Sequence, residues 1–123
     1  MIVKNSADKT PFKRRGIAVL FIFCFLLSCS TARAQKLKQV IADGDKAFAD
    51  NNFFSAALYY NQAILQDSID IAIQYKYADA SRLNFDYQIA DHWYSKVYKK
   101  DAQGKLYPEC SFWLASIKKT QGK

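Results

Sequence analysis

The chain resembles itself at a 34-residue shift. Five pairs of positions then keep the class of their side chains, namely Gly44/Ala78, Phe53/Tyr87, Ala56/Ala90, Tyr60/Tyr94 and Ala63/Val97. Small residues recur where two helices of a hairpin would cross closely, and tyrosines recur where the second helix would fill the gap to the next hairpin. The pattern therefore predicts two copies of one helical hairpin, stacked side by side.

Apolar residues beyond residue 35 recur at steps of three and four, which is the period of an amphipathic helix. These runs end at clusters rich in Asn, Asp, Ser and Gly, whose short polar side chains cap helices and form turns. The clusters lie at 50–52, 66–68, 84–86 and 101–104. The sequence predicts an all-α fold with helices over residues 37–50, 53–66, 70–84, 87–100 and 108–121.

The N-terminal segment has the layout of a secretory signal peptide. A basic cluster, Lys13-Arg14-Arg15, precedes Gly16 and an apolar run over residues 17–27, after which small polar residues follow. This run is shorter than the roughly 20 apolar residues that a transmembrane helix needs. We expect residues 1–34 to direct export to the periplasm or the outer membrane.

Two processing sites remain open. Small residues at Ala32 and Ala34 fit cleavage before Gln35, whereas residues 26–29, Leu-Leu-Ser-Cys, resemble a bacterial lipobox with Cys29 as the lipidated residue. A lipid on Cys29 would tether the chain to a membrane surface. In either case Cys110 stands alone, which excludes an internal disulfide framework in the mature chain.

The basic charge of the chain is concentrated in this leader. The formal net charge is +7, but residues 1–35 carry six basic residues and one acidic residue, and the rest carries 12 basic and 10 acidic residues. The repeat region is therefore nearly neutral. This balance argues against a nucleic acid as partner, because such proteins concentrate basic residues on the binding surface.

The 34-residue period and its small and aromatic positions resemble the tetratricopeptide repeat (TPR) family. The closest stretch is residues 51–64, NNFFSAALYYNQAI, although Ser68 and Ala102 stand where the family has a closing proline. The resemblance implies an α-solenoid of about two and a half helix-turn-helix repeats. We expect a first repeat at residues 36–68, a second at 69–102, and a partial third repeat or capping helix at 105–123.

The third copy begins after a slightly longer linker, and Gly122 falls near its closing turn. Its second helix is absent from the sequence. A repeat helix without its partner leaves an apolar face in water. We therefore expect the natural polypeptide to continue beyond Lys123, the alternative being that residues 108–121 form a solvated cap.

Enzyme chemistry finds little support in the sequence. The single histidine, His92, has no second histidine or cysteine at metal-ligand spacing, and a metal site needs three or four such ligands. The chain also lacks a phosphate-binding glycine loop and a nucleophile elbow. We expect no catalysis, no metal and no cofactor.

The resemblance implies a concave groove lined by the first helix of each repeat. Projecting the repeat register onto this sequence gives a candidate partner-binding set of Lys38, Ile41, Asp45, Phe48, Tyr75, Asp79, Arg82 and Phe112. Aromatic residues among mixed charges would suit a peptide with apolar anchors. Ile41, Asp45 and Tyr75 stand where some TPRs carry a carboxylate clamp of lysine and asparagine, so that activity does not transfer.

The leader and the segments over 44–64, 77–98 and 112–123 also resemble the start of large Gram-negative envelope proteins. In that family the repeats precede a β-propeller and an OmpA-like domain that binds peptidoglycan. The likeness implies an exported scaffold that brings envelope proteins together, as the N-terminal part of a longer protein. The alternative is a free-standing envelope lipoprotein anchored through Cys29. Membrane contact would come only from that lipid or from a downstream domain.

Overall fold

A computed structural model describes residues 11–67 and 70–122, with the side chains of residues 11–14 and 26–30 also outside the described part. Its helices are α1 (Pro11–Ala49), α2 (Phe53–Gln66), α3 (Ile71–Leu83), α4 (Tyr87–Lys100) and α5 (Cys110–Thr120). The described residues contain no β-strand, so the all-α prediction is confirmed. The predicted bounds of α2 and α4 are met, and those of α3 and α5 differ by one or two residues.

Helix α1 begins at Pro11, well before the predicted start at residue 37. After Pro11 the residues of α1 include no further proline and only two separate glycines, Gly16 and Gly44, so nothing in this stretch breaks the helix. The unit formed by residues 1–35 exposes the large side chains of its apolar run, from Ile17 to Phe25. No described helix is long and apolar enough to cross a membrane. The side chain of Cys29, the lipidation candidate, and the repeat boundary at 68–69 lie outside the described residues.

The unit formed by residues 36–123 repeats its backbone geometry with the 34-residue period of the sequence. The turn before α2 places Asn51 at φ 58°, and the turn before α4 places Phe85 at φ 65°, both in the left-handed region. In each turn the next amide donates to the carbonyl five residues earlier, at 2.9 Å from Asn52 and 2.8 Å from Asp86. Such bonds satisfy the last carbonyls of the preceding helix. The self-similarity of the sequence is thus matched by a recurring turn.

The small residues of the repeat lie at close helix contacts. A Cβ atom added to Gly44 would lie 2.7 Å from Cε1 of Tyr60, so α1 and α2 approach too closely there for a larger side chain without a shift. Ala78, Ala56 and Ala90 are fully buried. The small positions of the repeat are thus enclosed within the fold.

Two hydrophobic clusters form the core of this unit. The first joins α1, α2 and α3 around Val40, Tyr60 and Ile73. The second joins α3, α4 and α5 around Tyr94, Leu114 and Ile117. The partly buried Trp93 packs against both clusters and so connects them.

The connection from α4 to α5 is ordered by a single carboxylate. Asp101 accepts hydrogen bonds from the backbone amides of Lys105, Leu106 and Tyr107, at 3.0, 2.9 and 2.8 Å. These bonds hold the pKa of Asp101 below its usual range, most strongly the bond from Tyr107. The turn after α5 then places Gly122 at φ 68°, close to the φ of Phe85.

Candidate functional site

The same tyrosine–aspartate hydrogen bond, partly buried in each case, occurs in both repeats. Tyr60 donates its hydroxyl to Asp45 at 2.7 Å, and Tyr94 donates to Asp79 at 2.8 Å. Both tyrosines are almost fully buried, at 2% and 0% exposure. Each bond joins the first helix of a repeat to its second helix and fixes the position of one carboxylate.

Each of these carboxylates also pairs with a basic residue, but the two basic residues do not occupy equivalent positions in the repeats. Lys76 of α3 reaches across to Asp45 with distances of 2.7 and 2.8 Å to its two oxygens. Arg82 pairs with Asp79 one turn away on the same helix and donates to the Tyr94 hydroxyl at 3.2 Å. The first pair links neighbouring repeats, whereas the second stays within one repeat.

The guanidinium of Arg82 also lies over the ring of Trp113, with its central carbon 3.7 Å from the ring centroid. This cation–π contact connects α5 to the Asp79–Tyr94 pair. Arg82 is largely buried, and a buried charge needs partners. The carboxylate of Asp79 lies on one side of the guanidinium and the indole of Trp113 on the other.

A cavity of about 180 Å³ lies between α1, α2 and α3, in the surface formed by the first helices of the two repeats. Its lining residues are Asp45, Phe48, Tyr60, Tyr75, Lys76 and Asp79. Binding sites for small molecules usually enclose about 300–1,000 Å³. This cavity is therefore sized for one side chain of a partner.

Neighbouring rings hold the aromatic walls of the cavity in place. Phe48 packs edge-on against Phe53 at a centroid distance of 5.3 Å. Tyr75 stacks on Tyr107 at 4.3 Å and meets Tyr94 edge-on at 5.8 Å. Since these rings are held by neighbours within the fold, a ligand would meet a preformed surface.

The surroundings of the cavity favour the neutral form of Tyr60 and Tyr75 and the charged form of Asp45. Burial raises the pKa of Tyr60 far above its ordinary value, and the bond to Asp45 raises it further. Burial raises the pKa of Tyr75 to about 12, with nearby Asp79 adding to the shift. Burial by itself would raise the pKa of Asp45. The hydrogen bonds from Lys76 and Tyr60 outweigh this effect, so the pKa of Asp45 is lower than its ordinary value.

The structure brings together four of the eight residues in the predicted set: Asp45, Phe48, Tyr75 and Asp79 line the cavity. Arg82 does not line it but positions Asp79. Ile41 is partly buried against the first core cluster, where it supports the fold.

The two outermost members of the predicted set lie on the surface. Lys38 is exposed, and Phe112 is exposed and meets Trp113 edge-on. Two lining residues, Tyr60 and Lys76, are not in the predicted set. The pattern assigns Tyr60 to the core, and its position in the repeat gives no sign that it also lines the cavity. Lys76 follows its partner Asp45 at a separation of 31 positions, so the 34-residue register does not reveal the pair.

The part of the chain that the structure describes offers little for metal binding or for nucleophilic chemistry. There, no three or more His, Cys, Asp or Glu side chains are grouped so that they could hold a metal ion. Cys110 is buried, its thiol donates to the carbonyl of Tyr94 at 3.2 Å, and burial raises its pKa to about 11. A thiol with a raised pKa is a poor nucleophile at neutral pH.

Comparison with known proteins gives no assignment. No family model matches the chain, and no curated protein or solved structure matches it significantly.

Proposed function

We propose that the chain is an exported tetratricopeptide scaffold that binds a protein or peptide partner in the cell envelope. The observation that carries the proposal is the recurrence of the left-handed turn and the Asp–Tyr bond at equivalent positions of the two repeats. Recurring helical hairpins place equivalent helices side by side and create an extended surface for a partner. The leader pattern and the resemblance to envelope proteins support the location.

The cavity supports an extended peptide as the ligand. Buried Tyr60 and the rings of Phe48 and Tyr75 offer an apolar seat for one side chain. Asp45 and Lys76 are nearly half exposed beside it and retain capacity to bind polar backbone groups. An apolar anchor flanked by polar contacts is a usual form of peptide recognition.

A phage-displayed library of random 12-residue peptides, selected on the full chain, tests this function. We expect enriched peptides to share one large apolar residue. Their affinity should fall at least tenfold for Phe48→Ser, because that change removes one wall of the cavity.

Phe112→Ser is the matched control, since this phenylalanine is exposed outside the cavity. Binding that is unaffected by Phe48→Ser, or that falls equally with Phe112→Ser, would contradict the cavity as the anchor site. A library without enriched peptides would contradict peptide binding itself.

The second candidate is a free-standing lipoprotein of the envelope, with the same repeats anchored through Cys29. It rests on residues 26–29 and their resemblance to a lipobox. Mass spectrometry of the mature N-terminus in a Gram-negative host separates the two. A chain that starts at Gln35 excludes the anchor, and an acylated N-terminal Cys29 establishes it.

A further inference from the structure

Both carboxylates on the walls of the cavity are already paired with a basic residue. Asp45 pairs with Lys76, and Asp79 pairs with Arg82. A lysine or arginine of a partner would therefore compete with a cation that is already in place. An aspartate or glutamate would bring a third carboxylate next to these two, which is unfavourable. We therefore expect the side chain that enters the cavity to be uncharged.

The two carboxylates differ in how their oxygens are used. Lys76 alone donates to both oxygens of Asp45, at 2.7 and 2.8 Å. At Asp79 the donors converge on one atom, because Arg82 and Tyr94 both bond to Oδ1. No described residue donates a hydrogen bond to Oδ2 of Asp79. A carboxylate oxygen accepts about two such bonds, and this side chain is 22% exposed, so Oδ2 is available to a ligand.

The remaining walls of the cavity are largely aromatic. Phe48, Tyr60 and Tyr75 line it beside the two aspartates. Aromatic rings pack favourably against other rings, edge-on or offset, so these walls favour a flat aromatic side chain over an aliphatic one. An unused carboxylate oxygen beside such walls is better satisfied by a ring that donates a hydrogen bond than by a plain hydrocarbon ring. Tyrosine and tryptophan combine a ring with a donor.

We propose that the partner's anchor residue in this cavity is a tyrosine, whose ring packs against Phe48 and Tyr75 and whose hydroxyl donates to Oδ2 of Asp79. The cavity volume of about 180 Å³ suits the phenol ring of tyrosine better than the larger indole of tryptophan. Asp79 is then the residue that distinguishes tyrosine from phenylalanine. This inference rests on the proposed function, because it names the side chain that the peptide-binding cavity takes.

Synthetic peptides test the role of the hydroxyl. The 12-residue sequence most enriched in the phage selection is synthesised with tyrosine at the anchor position, and with phenylalanine, 4-fluorophenylalanine or 4-aminophenylalanine in its place. The first two replacements keep the ring and remove the donor, whereas the amino group of the third retains a donor. Isothermal titration calorimetry on the full chain should give a Kd about tenfold or more higher for the two peptides without a donor, because a hydrogen bond to a charged acceptor is lost. The Kd of the amino peptide should stay within about threefold of that of the tyrosine peptide.

Two matched protein variants locate the acceptor. Asp79→Asn replaces one carboxylate oxygen with a donor group, so the preference for the tyrosine peptide over the phenylalanine peptide should fall about threefold or more. Asp45→Asn, the same change at the equivalent position of the first repeat, acts on both peptides alike and should leave that preference unchanged. The preference compares two ligands on one variant, so a loss of stability alone does not move it. If circular dichroism shows that Asp79→Asn does not fold, the peptide series decides.

Equal affinity of the tyrosine and phenylalanine peptides would overturn the proposal. A preference that Asp79→Asn leaves unchanged, or that Asp45→Asn lowers equally, would overturn it as well. Enriched peptides that share leucine, phenylalanine, tryptophan or lysine in place of tyrosine would remove this inference and leave peptide binding intact. A selection without enriched peptides would contradict peptide binding itself, and this proposal with it.

Discussion

The hydroxyl of Tyr94 lies 2.8 Å from Oδ1 of Asp79, and in the first repeat the same bond joins Tyr60 to Asp45 at 2.7 Å. Both bonds tie the first helix of a repeat to its second. Their surroundings differ, because Asp45 is nearly half exposed whereas Asp79 is largely buried and shares its oxygen with Arg82.

Removing the Tyr94 hydroxyl should therefore destabilise the fold more than removing that of Tyr60. Tyr94→Phe leaves a largely buried carboxylate short of one donor, which costs about 1–2 kcal/mol of the free energy of unfolding. Tyr60→Phe should cost less, because water can reach Asp45. Urea denaturation of the detergent-solubilised full chain measures both. Tyr98→Phe, at an exposed tyrosine, is the control. A loss at position 60 as large as that at position 94, or a loss at position 98 equal to that at position 94, would contradict the prediction.

The fully buried alanines of α2 and α4 should not tolerate larger side chains. Ala56→Leu and Ala90→Leu each overfill a close helix contact and should lower the free energy of unfolding by about 1–3 kcal/mol. Ala115→Leu, on the exposed side of α5, should change it little. Melting temperatures that stay unchanged in both buried variants would contradict the repeat register.

Because the backbone at Phe85 is in the left-handed region, replacing this phenylalanine should stabilise the folded chain. Asn51, Gly104 and Gly122 occupy the other described positions with a positive φ, and asparagine and glycine adopt a positive φ more readily than phenylalanine. Phe85→Asn should therefore raise the free energy of unfolding by roughly 1 kcal/mol. The phenylalanine ring is 75% exposed, so little packing is lost.

The reciprocal change provides the control for this turn. Asn51→Phe places a bulky residue at φ 58° and should lower the melting temperature. If Phe85→Asn lowers the melting temperature instead, the ring of Phe85 contributes more through its edge-on contact with Tyr87 than its backbone costs.

The contact between Arg82 and Trp113 should stabilise the packing of α5 against α3. Arg82→Lys keeps the charge but loses the planar group that stacks on the indole and bonds to Tyr94, at a cost of about 1 kcal/mol. Lys96→Gln removes a comparable contact to Trp93 at an exposed site and should cost less. Thermal unfolding compares the two variants, and a larger loss at Lys96 would contradict the docking role of Arg82.

Sequence reasoning locates the helices and the buried small residues because both depend on spacing. The repeat period identifies Ala56 and Ala90, and each is fully buried. The start of α1 could not be predicted in the same way, because the apolar run before residue 37 is compatible with a helix but has the pattern of a separate leader. The similar φ of Asn51 and Phe85 could not be predicted either, since phenylalanine gives no signal for a left-handed turn.

The candidate site was predictable only where the repeat register determines it. Asp45 and Asp79 share a register position, and both line the cavity. The partners of these carboxylates follow no register, because Lys76 approaches from the next repeat and Arg82 from the same helix. Which basic residue pairs with which carboxylate depends on how far its side chain reaches between helices, and the repeat period of the sequence does not specify this.

Alkaline pH should unfold the chain through its buried tyrosines and its buried thiol. Burial raises the pKa of Tyr75 to about 12 and that of Cys110 to about 11, above their ordinary values of 10.0 and 9.0, and it raises the pKa of Tyr60 and Tyr94 as well. The folded chain thus keeps protons that the unfolded chain releases above about pH 9–10, so the free energy of unfolding falls as pH rises beyond that range. Urea midpoints at pH 8.0, 9.5 and 10.5 should decrease in that order, and the decrease should be shallower in Tyr94→Phe, which lacks one such hydroxyl. A midpoint that stays constant up to pH 10.5 would show that these groups are not buried in the folded protein.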